Sequence, residues 1–139
     1  MKYLKNIWKQ YKFGKKALRI EREPELEFSF QYFQNDIPRI EFIRQKSLLD
    51  FKDIKIENPH DFAIKIFPFK DKKIIERIKD WKYFENSFDL QDDENSPPYL
   101  CLYMKGNAKQ IPIIAKEILH SIFELEVNDE IEYGIKLYE

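Results

Sequence analysis

The alternation of apolar and polar positions is clearest between Pro98 and Tyr138. Pro-Pro-Tyr-Leu-Cys-Leu-Tyr-Met-Lys leads to Gly106-Asn107, then to a helix-patterned segment, then to Asn128-Asp129 and an alternating strand. The pattern predicts strand, turn, helix, turn, strand. Within the helix, Ile111, Ile114, Ala115, Ile118, Leu119, Ile122 and Phe123 recur at three- and four-residue steps and form one apolar stripe. Lys116, Glu117, His120, Ser121 and Glu124 fall opposite. Pro112 has no N–H to donate and belongs in a first turn, so the helix is expected to begin between Ala108 and Ile111, with Asn107 and Gln110 placed for a capping box.

After Asn128-Asp129, Ile131, Tyr133, Ile135 and Leu137 alternate with Glu130, Glu132, Gly134 and Lys136, which predicts a strand with one dry face and one wet face. Both parities are apolar from Tyr99 to Met104, which predicts a central strand covered on both sides. The helix is expected to pack across the sheet that holds these two strands. The two strands are placed to make a parallel pair if both lie in one sheet.

Earlier in the chain, Tyr3, Leu4, Ile7, Trp8 and Tyr11 share one helical face, with Lys5, Lys9, Lys12 and Lys16 on the other. Gly14 is expected to end or loosen this helix, and Pro24 closes the basic head. Leu26, Phe28, Phe30 and Tyr32 alternate with Glu25, Glu27, Ser29 and Gln31 as a half-buried strand, and Ile40 and Phe42 continue the pattern on a return strand. Facing residues share a side of the sheet, so Phe30 must oppose Phe42 or Ile40. That parity predicts an odd loop, Asn35–Ile37, because a two-residue Asn-Asp turn would set Phe30 against Glu41. Pro38 then suggests an edge strand.

Ile54 and Ile56, then Phe62, Ile64 and Ile66, read as two short strands around Asn58-Pro59-His60-Asp61. Asp71 is placed to N-cap a short helix carrying Ile74, Ile75, Ile78 and Trp81. Phe84, Phe88 and Leu90 suggest another strand, and Gln91–Pro98 is an acidic loop. The expectation is one α+β domain over residues 1–139. Its sheet is mostly antiparallel or mixed, of about five to seven strands, with helices on one face and the order α-β-β-(β-β)-α-β-β-α-β.

Composition narrows the function classes. Hydrophobic residues make up 43% of the chain, too many for a disordered polymer. The net charge of −1 hides an asymmetry. Met1–Arg22 carries eight Lys or Arg against Glu21, a net +7, while Glu117–Glu139 carries seven acids against Lys136, a net −6. The lone Cys101 forms no internal disulfide, no run approaches a membrane span, and no apolar signal core follows the first lysines, so a cytoplasmic protein is expected.

Candidate chemistry is sparse. Cys101 and His120 are the Cys–His combination with a reactive pairing in view, yet Cys101 sits inside Leu-Cys-Leu as a small core residue and His120 on a polar helix face. His60 and His120 lack metal-ligand spacing, and Asp89, Asp92, Asp93 and Glu94 lack the glycine turn of a calcium loop. Asp53-Ile54-Lys55 satisfies the local triplet of a metal-dependent nuclease, but Asp71-Lys72-Lys73 and Asp80-Trp81-Lys82 show how readily such triplets arise by chance. No catalytic, cofactor or metal site is expected.

The best contact feature is the lysine stripe of Lys5, Lys9, Lys12 and Lys16 beside Trp8. The expected function is a small non-catalytic protein-binding module, adaptor-like, chaperone-like or immunity-like. The order of elements loosely resembles secretion-chaperone-like and toxin-immunity proteins in architecture alone. The partner is expected to be another protein, with a homodimer in view. The alternative is a nucleic-acid binder working through the same lysines, and an unrecognised enzyme such as a metal-dependent nuclease comes third.

Overall fold

A two-residue turn starts the sheet. Strands β1 (Glu27–Gln34) and β2 (Ile37–Arg44) are joined by Asn35 and Asp36, with φ of 50° and 65°. Positive φ at both central positions defines the hairpin turn that matches strand twist, and Asn and Asp tolerate it better than other side chains. The structure is a computed structural model that describes residues 15–44, 62–67, 71–91, 99–104, 108–125 and 131–138.

The expected odd loop is therefore wrong, but the pairing it was meant to explain is present. Phe30 faces Phe42, as parity demanded. Tyr32 faces Ile40 and Phe33 faces Pro38, so Arg39 is an extra residue on β2. This one-residue β-bulge restores the parity that the even turn would have broken. Pro38 does not mark an edge strand either. β2 lies between β1 and β3, and the β3 ladder reaches only from Ile43 to Ile40, with a further bond from the Phe67 N–H to the Arg39 carbonyl at 3.0 Å. Pro38 sits beyond that ladder, and among the described residues no β3 partner faces its missing N–H.

The described chain continues through β3 (Phe62–Ile66), helix α2 (Lys72–Lys79), a 3-10 turn at Phe84–Asn86, β4 (Ser87–Gln91), β5 (Tyr99–Met104), a second 3-10 turn at Ala108–Gln110, helix α3 (Ile111–Ser121) and β6 (Ile131–Tyr138). A helical segment over residues 15–22, here called α1, precedes β1. The class is α+β. The six strands run in the order β4-β5-β3-β2-β1-β6, every neighbouring pair antiparallel. β5 and β6 share the sheet but do not pair, because β3, β2 and β1 lie between them. The expected element order is matched roughly. Phe84 belongs to a 3-10 turn and not to a strand, Gln91 ends β4, and the α3 stripe leaves regular helix after Ser121. The expected strand at Ile54 and Ile56, the turns at Gly106-Asn107 and Asn128-Asp129, and most of the 91–98 loop lie outside the described residues.

One sheet face and the three helices share a single core. Phe28, Phe42, Phe62, Ile64, Ile66, Leu100 and Leu102 are fully buried on it, and Ile20, Ile74, Ile78, Ile111, Ile114, Ala115 and Ile118 reach them from the helices. Each such side chain contributes about 1.5–3 kcal/mol on leaving water, which is why the stripe on α3 dictates how that helix lies. Aromatic rings run edge to face across four strands, from Tyr133 to Tyr32 at 4.9 Å, Tyr32 to Phe42 at 6.0 Å and Phe42 to Phe62 at 5.9 Å. The opposite face is buried over its centre too, at Ser29, Ile43, Ala63 and Cys101. There Ser29 Oγ and Gln31 Nε2 both donate to Glu41 Oε2 at 2.7 Å.

The helix ends are specified by side chains. Asp71 accepts from the N–H groups of Lys73 and Ile74 at 3.0 and 3.4 Å, as its place in the sequence predicts. Gln110 makes no side-chain capping bond at the start of α3, and Pro112 stands in the first turn. At the far end of α3, Arg77 donates to the Ile122 carbonyl at 3.1 Å and pairs with Glu124 at 2.9 Å, placing a cation at a helix C-terminus. Gly14, expected to end or loosen the first helix, lies outside the described residues, as does that helix. Residues 15–22 are helical and stop short of Pro24, a segment the pattern concealed because Ile20 is its one buried residue.

Candidate functional site

Two clefts lie towards opposite ends of the strand order, and each collects contact chemistry. The first is formed where the start of α3 meets the end of β5 and the chain leading into β4. Its volume is about 430 Å³, and its walls include Tyr83, Tyr103, Met104, Ile113 and Ile114. Ile113 is 69% exposed, the most exposed large apolar side chain among the described residues. It projects from α3 away from the stripe formed by Ile111, Ile114, Ala115 and Ile118, so the helix-to-sheet contact that buries its neighbours leaves it in water.

The rim of this cleft is polar and internally balanced. Glu117 accepts from Trp81 Nε1 at 3.2 Å and pairs with Lys82 at 3.1 Å. That carboxylate holds the Lys82 ammonium above the ordinary lysine pKa, through the hydrogen bond first and the charge second. Trp81 meets Tyr83 edge to face at 5.1 Å, and the Lys82 amine lies 4.9 Å from the Tyr83 ring centre. Asn86 and Gln110 add amide groups. The cleft thus offers apolar walls, the Tyr83 ring and two amides, with its one acid already neutralised.

The second cleft, about 470 Å³, runs between α1 and β6. Lys15, Lys16, Arg19 and Lys136 line it over a floor of Ile135 and Leu137. Lys16 Nζ donates to the Ile135 carbonyl at 3.4 Å, and Arg19 pairs with Glu23 at 2.9 Å. Arg19 holds the Glu23 carboxyl below its usual pKa, through the hydrogen bond first. Of the expected contact residues, Lys16 is placed here. Lys5, Trp8, Lys9 and Lys12 lie outside the described residues.

The structure also separates groups that the sequence left open. Cys101 is buried on the face of β5 opposite the one that packs on α3, while His120 is exposed on α3, so the sheet stands between them. Asp71 of one chance triplet is occupied as a helix cap, and Lys82 of the other as the partner of Glu117. Asp53-Ile54-Lys55, His60, Asp92, Asp93 and Glu94 lie outside the described residues, and the Asp89 side chain is not described. Among the described residues, no three His, Cys, Asp or Glu side chains gather as a metal site, and no helix is long and apolar enough to cross a membrane.

Sequence reasoning missed Tyr83, Tyr103 and Ile113 as a group. Ile113 did carry a legible signal, since it is an isoleucine off the apolar stripe, but its aromatic neighbours come from two other elements. Comparison with protein-family models, with curated proteins and with solved structures finds no match to this chain.

Proposed function

We propose that this chain is a non-catalytic protein-binding module whose contact site is the cleft of Tyr83, Tyr103, Met104 and Ile113. What carries the reading is Ile113, 69% exposed on a wall it shares with two tyrosines. Interface cores favour tyrosine and methionine and avoid charge, and the balanced Glu117–Lys82 pair leaves no charge asking for a counter-ion. The occupant is a segment of another protein that inserts an apolar side chain against Ile113 and offers its backbone to Asn86 and Gln110. Burying Ile113 and one such partner side chain would contribute about 1.5–3 kcal/mol each.

The test is a photo-crosslinking amino acid in place of Ile113, expressed in the native host, with adducts identified by mass spectrometry. One dominant protein adduct is expected, and Tyr83→Ala in the same chain should remove it. No adduct above that of the same probe at Lys72, an exposed position on α2, would end this reading.

The second cleft favours a second reading. Lys15, Lys16, Arg19 and Lys136 converge on one groove, as phosphate binding requires. Under that reading a single-stranded RNA or DNA oligonucleotide binds with steep salt dependence, and Lys15→Glu with Lys16→Glu abolishes it. Affinity weaker than about 1 mM at low salt would remove it, because even non-specific nucleic-acid binding falls at roughly 10⁻⁴ to 10⁻⁶ M.

A further inference from the structure

Among the described strands β6 ends the sheet, with β1 on one side. An edge strand of eight residues is a template for another strand, and natural proteins either guard such an edge or use it. What distinguishes β6 is its order of residues. Gly134 stands near its middle, and the positions on either side of it match as opposites. Glu132 and Lys136 lie two residues before and after, on the same sheet face as Gly134. Tyr133 and Ile135 flank it on the other face, and Ile131 and Leu137 lie one step further out. All four of these apolar side chains are in the core or packed against it.

We infer that β6 pairs antiparallel with β6 of a second copy of this chain, about a two-fold axis at Gly134, giving a continuous twelve-stranded sheet. In that register Glu132 of each copy faces Lys136 of the other, Tyr133 faces Ile135, and Ile131 faces Leu137. Directly opposed residues share a face, so only registers centred on a residue keep apolar with apolar. Moving the axis to Ile135 sets Lys136 against Gly134 and Glu132 against Tyr138. Moving it to Tyr133 sets Glu132 against Gly134 and leaves Lys136 opposite Glu130, which precedes the first residue of β6. Of these three, the axis at Gly134 alone opposes Glu132 and Lys136, and it does so twice. The glycine also suits the centre. A Cβ built there would lie 3.5 Å from the Phe33 ring, so Phe33 already covers this position and its counterpart would cover the other half of the seam. Lys16, whose amine reaches the Ile135 carbonyl over a long 3.4 Å, would give up that single bond when the second strand pairs.

The occupant is a second copy because the match is of the strand with itself. The inference does not rest on the Ile113 cleft, which lies towards the other end of the strand order. Its test is analytical ultracentrifugation of the full chain with Glu132 and Lys136 exchanged. Wild type is expected to show a reversible monomer–dimer equilibrium. Glu132→Lys alone and Lys136→Glu alone each replace two attractive pairs by two repulsive ones, and each should weaken dimerisation about tenfold or more. The double exchange, Glu132→Lys with Lys136→Glu, restores opposite charges and should return the constant to within about threefold of wild type.

A disulfide readout fixes the register independently of charge. Gly134→Cys should cross-link to itself under mild oxidation. Glu132→Cys should not, but should cross-link to Lys136→Cys when the two variants are mixed, since facing Cα atoms lie within disulfide reach and those four residues away do not. A chain that stays monomeric to about 0.5 mM, a double exchange that fails to restore association, or self-cross-linking of Glu132→Cys in preference to Gly134→Cys would each overturn the inference.

Discussion

Arg44 shows how one side chain joins parts of this molecule. It is 4% exposed, and its Nη1 donates to the carbonyls of Ile20, Glu23 and Leu26 at 3.2, 3.4 and 3.4 Å. Its guanidinium lies 5.0 Å from the centre of the Phe28 ring. The end of α1 and the entry to β1 therefore depend on a cation donated from the last residue of β2. A buried guanidinium is tolerated here because carbonyl dipoles at a helix C-terminus supply negative potential and the aromatic face adds more. Arg44→Met keeps most of the stem and removes the donors. It is expected to cost about 2–4 kcal/mol, read as a lower urea midpoint with an unchanged slope. Arg44→Lys should recover only part, because a compact, strongly hydrated ammonium costs more to bury and lacks the planar face that lies over the Phe28 ring. A change under about 0.5 kcal/mol in Arg44→Met would show that the carbonyls have no need of it. None of this was legible in the sequence, where Arg44 is one of many charges following an apolar run.

At the scale of elements, the β1–β2 hairpin is the instructive case. The pattern demanded Phe30 opposite Phe42, and that demand is met. The device is an even turn followed by a bulge at Arg39, in place of the odd turn that parity alone suggested. Both devices satisfy parity, and the one-dimensional pattern cannot choose between them. Tertiary contacts do choose. Arg39 Nε donates to Gln34 Oε1 at 3.2 Å and its guanidinium covers the Phe123 ring at 5.1 Å, so the extra residue bridges the hairpin to the end of α3. Burial lowers the Arg39 pKa, with the charge of Asp71 opposing that shift. The turn can be tested through Asp36, whose φ is 65°. Asp36→Ala should destabilise by about 1 kcal/mol, because a β-carbon without a polar group tolerates this region poorly. Asp36→Gly should match or exceed wild type, since glycine adopts positive φ freely. Equal denaturation midpoints for the alanine and glycine variants would contradict the two-residue turn.

At the scale of the whole molecule, stability should depend on alkaline pH through Tyr32. Burial raises its pKa far above the ordinary tyrosine value of 10.0, with the neighbouring Tyr133 adding to the shift. Burial also raises Tyr133, which meets Tyr32 edge to face at 4.9 Å. Below the ordinary value both folded and unfolded chains keep these protons, and the full stability is present. Above it the unfolded chain loses protons that the folded chain retains, so stability falls as pH rises. The loss approaches about 1.4 kcal/mol per pH unit for the buried Tyr32, and the half-buried Tyr133 adds a smaller, solvent-screened part. Tyr32→Phe should flatten that decline between pH 10 and the alkaline unfolding point, measured as the change in melting temperature with pH. An unaltered slope would mean that the phenol is not sealed in the core. Tyr32 also sits in the aromatic row that runs from β6 to β3, so the same probe reports on whether the sheet opens as one unit.

Periodicity alone determined the α+β class, the stripe that lays α3 on the sheet, the Asp71 cap and the facing of Phe30 and Phe42. These follow from spacing along a helix or strand and from the chemistry of one or two neighbouring residues, which a linear chain displays directly. Strand order, the separation of β5 from β6, the bulge at Arg39 and the placing of Pro38 inside the sheet were decided in three dimensions, because several pairings satisfy the same alternation and only packing selects among them. The same holds for both clefts. Tyr83, Tyr103 and Ile113 come from three different segments, and the groove formed by Lys15, Lys16, Arg19 and Lys136 joins α1 to β6, at opposite ends of the described chain. Contact surfaces made by residues far apart in sequence carry no periodic signature, so nothing short of the folded chain brings them together.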